Sequence, residues 1–252
     1  MIPWIGGKRR LAKDIIPLFP EHTCYVEPFA GGAAILFAKE PSKVEVLNDI
    51  NGDLVNLYRV TKHHLDEFVL QFRNALVSRQ IYEWLKDTPP ETLTDIQRAA
   101  RFFYLQKMNF SGQVSSFSYS LTTSVKPKLD VTSTGIRTAL STAHLRLARV
   151  QIENLDWTEC IKKFDRPHTL FYCDPPYYET AGYGVPFPRD EYVKLADLMK
   201  TMNGKAIVSL NAHPEIKKIF KGLKMKTVGI KYSVANKTRS GKESKELIIR
   251  NF

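Results

Sequence analysis

The stretch Phe171-Tyr-Cys-Asp-Pro-Pro-Tyr177 sets a carboxylate, two rigid prolines and an aromatic ring in succession behind an apolar run. The apolar residues read as the end of a buried strand, so Asp174, Pro175, Pro176 and Tyr177 fall at its carboxyl edge. In open α/β sheets, ligands bind at that edge. A carboxylate there accepts hydrogen bonds, and a ring beside it offers a face for stacking. Pro-Pro also ends strands in ordinary loops, so the meaning of the four residues rests on what the chain brings to them.

The elements that must position them begin at the amino terminus. Met1-Ile-Pro-Trp-Ile-Gly-Gly-Lys8 places Trp4, a Gly6-Gly7 turn and Lys8 ahead of the apolar pattern Leu11, Ile15, Ile16 and Leu18. Glycines before a helix let backbone N–H groups approach an anionic group. Cys24 to Ala34 then reads as a strand ending at Glu27, a tight loop containing Phe29 and Gly31, and a helix that includes Ile35, Leu36 and Phe37. Val44 to Asp49 reads as a second strand that ends in an acid, ~18 residues beyond the glycines. This is the layout of the first β-α-β unit of a nucleotide-binding sheet, in which the acid accepts hydrogen bonds from a ribose. Phe29-Ala-Gly-Gly-Ala33 lacks the full alternating-glycine fingerprint, which counts against a nicotinamide dinucleotide.

From Asn56 to about Arg149 the pattern turns helical. Thr94-Asp-Ile-Gln97 can cap a helix with Ile96, Ala100, Phe103 and the stem of Lys107 on its buried stripe. That helix runs out at Asn109-Phe-Ser-Gly112. Gln113 to Ser133 reads as a loop or short hairpin, and Ile136 to Arg149 as a second helix with Leu140, Ala143 and Leu147 on one face. The β-α alternation then resumes with strands at Val150 to Leu155, Thr169 to Cys173 and Ala206 to Leu210, and a closing pair at Met225 to Tyr232 and Leu247 to Ile249. Helices fall near Glu159 to Phe164, Asp190 to Met202 (burying Val193, Ala196 and Met199) and Pro214 to Phe220. Tyr178 to Arg189, with its glycines and prolines among aromatics, suits a lid. The expectation is an α/β sheet of about seven strands, with residues 1–55 and 150–252 in one domain and a mostly helical insertion at 56–149.

At 252 residues the chain is long enough for a sizeable core. The net charge of +11 and pI near 9.5 suggest a polyanionic partner. Three cysteines without metal-ligand spacing fit a reducing compartment and argue against a disulfide framework. No apolar run matches a membrane span, and no signal-peptide pattern opens the chain, so a cytoplasmic protein is expected. The six histidines form no triad or metal pattern.

Taken together, Trp4-Ile-Gly-Gly-Lys8, Glu27-Pro-Phe-Ala-Gly-Gly32, Leu47-Asn-Asp-Ile-Asn51, Asn109-Phe-Ser-Gly112 and Asp174-Pro-Pro-Tyr177 resemble, in order, the Dam-like D12 family of DNA adenine-N6 methyltransferases. The resemblance spans nearly the whole chain, including the tail to Leu247. It implies a Rossmann-like sheet, S-adenosylmethionine as cofactor with S-adenosylhomocysteine as product, no metal, and methyl transfer to N6 of a flipped-out adenine in double-stranded DNA by an enzyme acting as a monomer. By position it assigns Trp4, Gly6, Gly7, Lys8, Glu27, Phe29, Gly31, Asp49, Ile50, Asp156 and Asp174 to the cofactor. Asp156 reads equally as a helix N-cap ahead of Thr158. Arg9, Lys107, Asn109, Gln113, Arg137, Lys237, Arg239 and Lys242 are the expected DNA contacts. Family members that read GATC carry an arginine shortly after the turn that ends the long helix. Here Gln113 leads into Val114, and glutamine prefers adenine where arginine reads guanine, which counts against GATC. Methylation of RNA or of a protein amide, or a catalytically dead DNA-binding homologue, stand as alternatives.

Overall fold

The computed structural model describes residues 8–110, 113–117, 133–180, 186–230 and 244–252, with the backbone alone at 9, 110, 113–117, 133, 230 and 244. A short helix, α1 (Ala12–Ile15), leads into β1 (Cys24–Glu27) and β2 (Val44–Asn48). Four helices follow: α2 (Gly52–His63), α3 (Leu65–Leu70), α4 (Arg79–Asp87) and α5 (Asp95–Met108). The strands β3 (Asn109–Phe110) and β4 (Gln113–Phe117) precede α6 (Ser133–Leu147) and β5 (Val150–Glu153). Next come α7 (Trp157–Phe164), β6 (Thr169–Cys173), α8 (Arg189–Thr201), β7 (Lys205–Asn211) and α9 (Pro214–Ile219). The last described strands are β8 (Lys224–Ile230) and β9 (Ser244–Arg250).

Seven strands form one mixed sheet in the order β5-β2-β1-β6-β7-β9-β8, the expected α/β class. Strands β2, β1, β6 and β7 are parallel, while β9 runs antiparallel between β7 and β8. Every residue of β1 and β6 is buried, as a parallel sheet covered on both faces requires. After β1 the chain fills one side of the sheet and then crosses to add β6 on the other. That reversal makes the carboxyl ends of β1 and β6 a topological switch point, the kind of position at which open α/β sheets bind ligands.

The chain divides into two compact units. In the unit of residues 8–48 and 155–252, Val26, Val46, Phe171, Ala206, Val208 and Ile249 lie in one buried cluster with Trp157, Leu195 and Phe220. Cys24, Cys160 and Cys173 are buried free thiols. The helix expected after the glycine loop is absent. Ala33 adopts φ 47°, which cannot open a right-handed helix, and Pro41 follows within eight residues. Between them the chain makes turns, two of them closed by bonds of helical spacing from the Phe37 amide to the Ala33 carbonyl and from the Lys39 amide to the Ile35 carbonyl, each at 3.0 Å. The Leu36 amide donates to the Glu27 carboxylate at 2.8 Å.

The unit Asp49–Asn154 is a helical assembly with an aromatic centre at Phe68, Phe72 and Phe103. Its first helix starts at Gly52, earlier than the sequence pattern suggested, because the Asn51 side chain caps the amides of Asp53 and Leu54. Thr94 and Gln97 form the expected capping box on α5. The buried stripe of α5 differs from expectation: Ile96 and Ala100 are half-buried, and Ala99, Phe102, Phe103, Tyr104, Leu105, Gln106 and Met108 form the core. Helices α2, α3 and α4 all pack on α5, so its carboxyl half is covered on most sides. Strands β3 and β4 pair as a short antiparallel hairpin with a register irregularity, and α6 buries Ile136, Leu140, Ala143 and Leu147 as its spacing predicts. On α8, Val193 is half-buried while Tyr192 and Leu195 join Ala196 and Met199 in the core. Of the expected lid, residues 181–185 lie outside the described ones.

Candidate active site

Strand β6 delivers Asp174 to the switch point directly after the buried Cys173. Lys8, strands β7 and β9 and helix α8 hold its carboxylate and the loop behind it. Lys8, nearly fully buried, places its ammonium 3.0 Å from Asp174 Oδ1. Ser209 of β7 donates to the same oxygen at 3.1 Å, and its hydroxyl is itself bonded to Tyr172 at 2.7 Å. Tyr192 of α8 donates to the Pro176 carbonyl at 2.7 Å. The Tyr177 hydroxyl accepts from Lys8 and donates to Glu246 of β9, while the ammonium of Lys8 lies 3.9 Å from Glu246 Oε2. Asn211 at the end of β7 grips the backbone of Tyr178 twice, donating to its carbonyl at 3.0 Å and accepting from its N–H at 3.1 Å. Just beyond, Glu179 is held at φ 53°, a conformation that non-glycine residues adopt only when their surroundings impose it. Burial pushes the Asp174 carboxyl above its ordinary range, and the Lys8 cation and Ser209 hydroxyl pull it back.

Strand β1 delivers Glu27 and the glycine loop to the neighbouring position. Gly31 sits at φ 46°, where a side chain would be strained. The loop is tied down by Asn48, whose carbonyl accepts from Ala30 at 2.8 Å and whose amide donates to Pro28 and Leu155 carbonyls at 3.0 Å each. Phe29 packs with Trp157 and Phe187 at ring separations of 5.6 to 6.1 Å, making an aromatic wall. Glu27 is 1% exposed and accepts from the Tyr25 hydroxyl and the Leu36 amide, each at 2.8 Å. Burial pushes its carboxyl up to about 8.

That shift predicts a stability slope. Between the ordinary 4.5 and about 8 the folded chain retains a proton at Glu27 that the unfolded chain has lost. Stability should therefore decline as pH rises through this window, by up to about 1.4 kcal/mol per pH unit, and level off above it. Glu27→Gln keeps an acceptor and has no proton to lose. Its stability relative to wild type should grow with pH across the window in denaturant titrations, whereas parallel profiles would mean that Glu27 is buried as a charge.

The remaining candidates are distributed as follows. Asp156 is exposed and caps α7, accepting from the Thr158 amide at 2.9 Å and from its hydroxyl. Asp49 and Ile50 belong to the helical unit; Asp49 Oδ1 accepts from the Asn51 amide at 2.9 Å, and Ile50 is exposed. Asn109 is buried and receives a hydrogen bond from Tyr82. Lys107 is half-buried, 5.4 Å from the Phe103 ring centre, and burial lowers its pKa. Arg137 pairs with Asp66 at 2.7 Å on the surface. Trp4, Gly6, Gly7, Lys237, Arg239 and Lys242 lie outside the described residues, as do the side chains of Arg9 and Gln113. Sequence reasoning missed Ser209, Asn211 and Glu246. The available signal was an acid placed directly before the buried run Leu247 to Ile249, and polar residues at the end of an otherwise apolar strand.

A mixed sheet with acids and an aromatic loop gathered at the switch point of its strands defines an α/β protein of the Rossmann-like kind. The chain matches the model of the D12 class N6 adenine-specific DNA methyltransferases over residues 4–234, and it belongs to that family. It is 26% identical over 271 residues to the Type II methyltransferase M1.LlaDCHI of Lactococcus lactis subsp. cremoris, covering 99% of this chain and 94% of that protein. Identity to a DNA adenine methylase of Haemophilus influenzae is 27% over 269 residues, 98% and 91% of the two chains. A Type II methyltransferase of Paramecium bursaria Chlorella virus NC1A, M.CviBI, is 24% identical over 267 residues, 100% and 99% of the two. The protein is thus an enzyme that methylates adenine N6 in DNA, and family membership implies S-adenosylmethionine as methyl donor. No helix among the described residues is long and apolar enough to cross a membrane.

Proposed function

We propose that this chain methylates an adenine swung out of a specific short duplex sequence, and that Asp174-Pro-Pro-Tyr177 holds the extruded base. The observation that carries the reading is the anchoring of Asp174. The contacts from Lys8 and Ser209 both fall on Oδ1, and Oδ2 is assigned to the base. The lone pair of adenine N6 is delocalised into the ring, which makes the amine a poor nucleophile. Oδ2 and the Pro175 carbonyl accept its two N–H bonds, draw the nitrogen toward tetrahedral geometry and offset the positive charge that develops on it. The Pro175-Pro176 pair, fixed by Tyr192, keeps both acceptors aimed. The Tyr177 ring stacks on the base, which must leave the duplex to reach so enclosed a position.

S-adenosylmethionine supplies the electrophilic methyl group. The residues at the switch point fit that cofactor: Gly31 opens the backbone for a close approach, Phe29 with Trp157 and Phe187 offers an apolar wall for a nucleoside, and Asp174 and Glu246 set two carboxylates against the Lys8 ammonium where a cation would lie. Asp49 is assigned to the ribose and Asp156, by its place in the family, to the adenine end, with Trp4, Gly6, Gly7, Glu27 and Ile50 completing the set. Lys8 joins the set through its ion pair with the Asp174 carboxylate. The helical unit reads the sequence and basic residues pair with phosphates, so binding falls steeply with salt. Offering labelled cofactor with duplex DNA, RNA and protein in parallel tests the assignment. Label should enter the duplex alone; label confined to RNA or protein overturns it.

A further inference from the structure

We infer that Glu246 is a positioning residue for methyl transfer, acting through the Tyr177 hydroxyl to fix the ring on which the target base stacks. The inference rests on the base-holding role proposed above for Asp174-Pro-Pro-Tyr177. Glu246 has no exposed surface, yet it lies on β9 among Leu247, Ile248 and Ile249, where an apolar side chain would pack at lower cost. Its carboxylate is used at the loop, accepting from the Tyr177 hydroxyl and facing the Lys8 ammonium at 3.9 Å. Lys8 in turn bonds the same hydroxyl and pairs with Asp174. The Tyr177 oxygen is therefore held from both sides, as acceptor from the cation and donor to the anion. The orientation of the ring and the direction of Asp174 are set by one connected group.

The strand pairing explains why this residue occupies this place. Glu246 is the register partner of Asn211 across β7 and β9, and Asn211 clamps the backbone of Tyr178. Two residues back along β7, Ser209 holds Asp174. The ends of two adjacent antiparallel strands thus grip three residues of the loop, at 174, 177 and 178. A loop fixed this way presents its ring without an entropic loss when the base arrives.

Steady-state methyl transfer to plasmid DNA from a methylation-free host, with Glu246→Ala, Tyr177→Phe and the double variant, tests the inference. Loss of alignment predicts that Glu246→Ala lowers kcat about a hundredfold while KM for the cofactor is little changed. Tyr177→Phe should show a comparable loss, the double variant should be no worse than either, and Glu246→Gln, which keeps an acceptor, should recover most of the activity. Wild-type kcat in Glu246→Ala, or losses that multiply in the double variant, overturns the inference. Should Glu246→Ala fail to fold, judged by binding of S-adenosylhomocysteine, the same cycle with Glu246→Leu, which fills the buried position but accepts no hydrogen bond, decides by the same criterion. Asp174→Ala run alongside separates the two claims: an inactive Asp174→Ala with a fully active Glu246→Ala removes only the role of Glu246, whereas an active Asp174→Ala removes the parent mechanism.

Discussion

Asp174→Ala should abolish methyl transfer, with a loss of about a thousandfold or more in kcat, while DNA binding persists. The carboxylate provides the charged acceptor on the amino group in the proposed geometry, and the positive charge that develops on nitrogen loses that anion in the variant. The fold should survive. Lys8, which would lose its partner at 3.0 Å, keeps the Tyr177 hydroxyl and Glu246. Single-turnover transfer with labelled cofactor and fluorescence anisotropy with duplex DNA separate the two effects. Retention of wild-type kcat by the variant would contradict the mechanism.

Lys8→Met is the second large effect, and it reaches both stability and rate. The ammonium is nearly fully buried and faces Asp174 and Glu246 together. Its removal leaves two carboxyl groups without their common cation, which should cost about 3–5 kcal/mol where they are ionised. The cost should shrink at mildly acidic pH, where a carboxyl can take up a proton instead. The rate follows the same logic. Burial already raises the Asp174 carboxyl, with Lys8 holding it down; without the cation it rises further. Since the carboxylate form is required, the acid limb of the kcat profile should move to higher pH in Lys8→Met, and activity should recover in alkaline buffer. An unmoved acid limb would mean that a different group controls ionisation in the site.

The parts of the site that could be read from the chain were those in which chemistry and local spacing coincide. Asp174 to Tyr177 is contiguous, and the parallel strand before it is a solid apolar run, so motif and element identify each other. The glycine loop was legible for a similar reason, but the helix after it was not. Ile35, Leu36 and Phe37 carry apolar side chains compatible with a helix, while the backbone between Ala33, at positive φ, and Pro41 closes only into turns. Glu246, Ser209 and Asn211 stood out only as polar residues beside apolar runs, and their convergence depends on the register of β7 against β9, set by pairings such as Asn211↔Glu246. Nothing in the local sequence records which long-range partner a buried acid will meet. Lys8 was legible as an important cation, but its partner was not: glycines beside it suggested an anionic ligand, and the fold brings it to a carboxylate of the chain itself.

The most direct test of the methylation chemistry is a base-resolution map of modified bases in the genome of a methylation-free bacterial host expressing either the wild-type chain or Asp174→Ala. The expected result is N6-methyladenine at one short recurring sequence with the wild type and none with the variant. Methyl groups on cytosine instead of adenine, or equal adenine methylation by both chains, would contradict it.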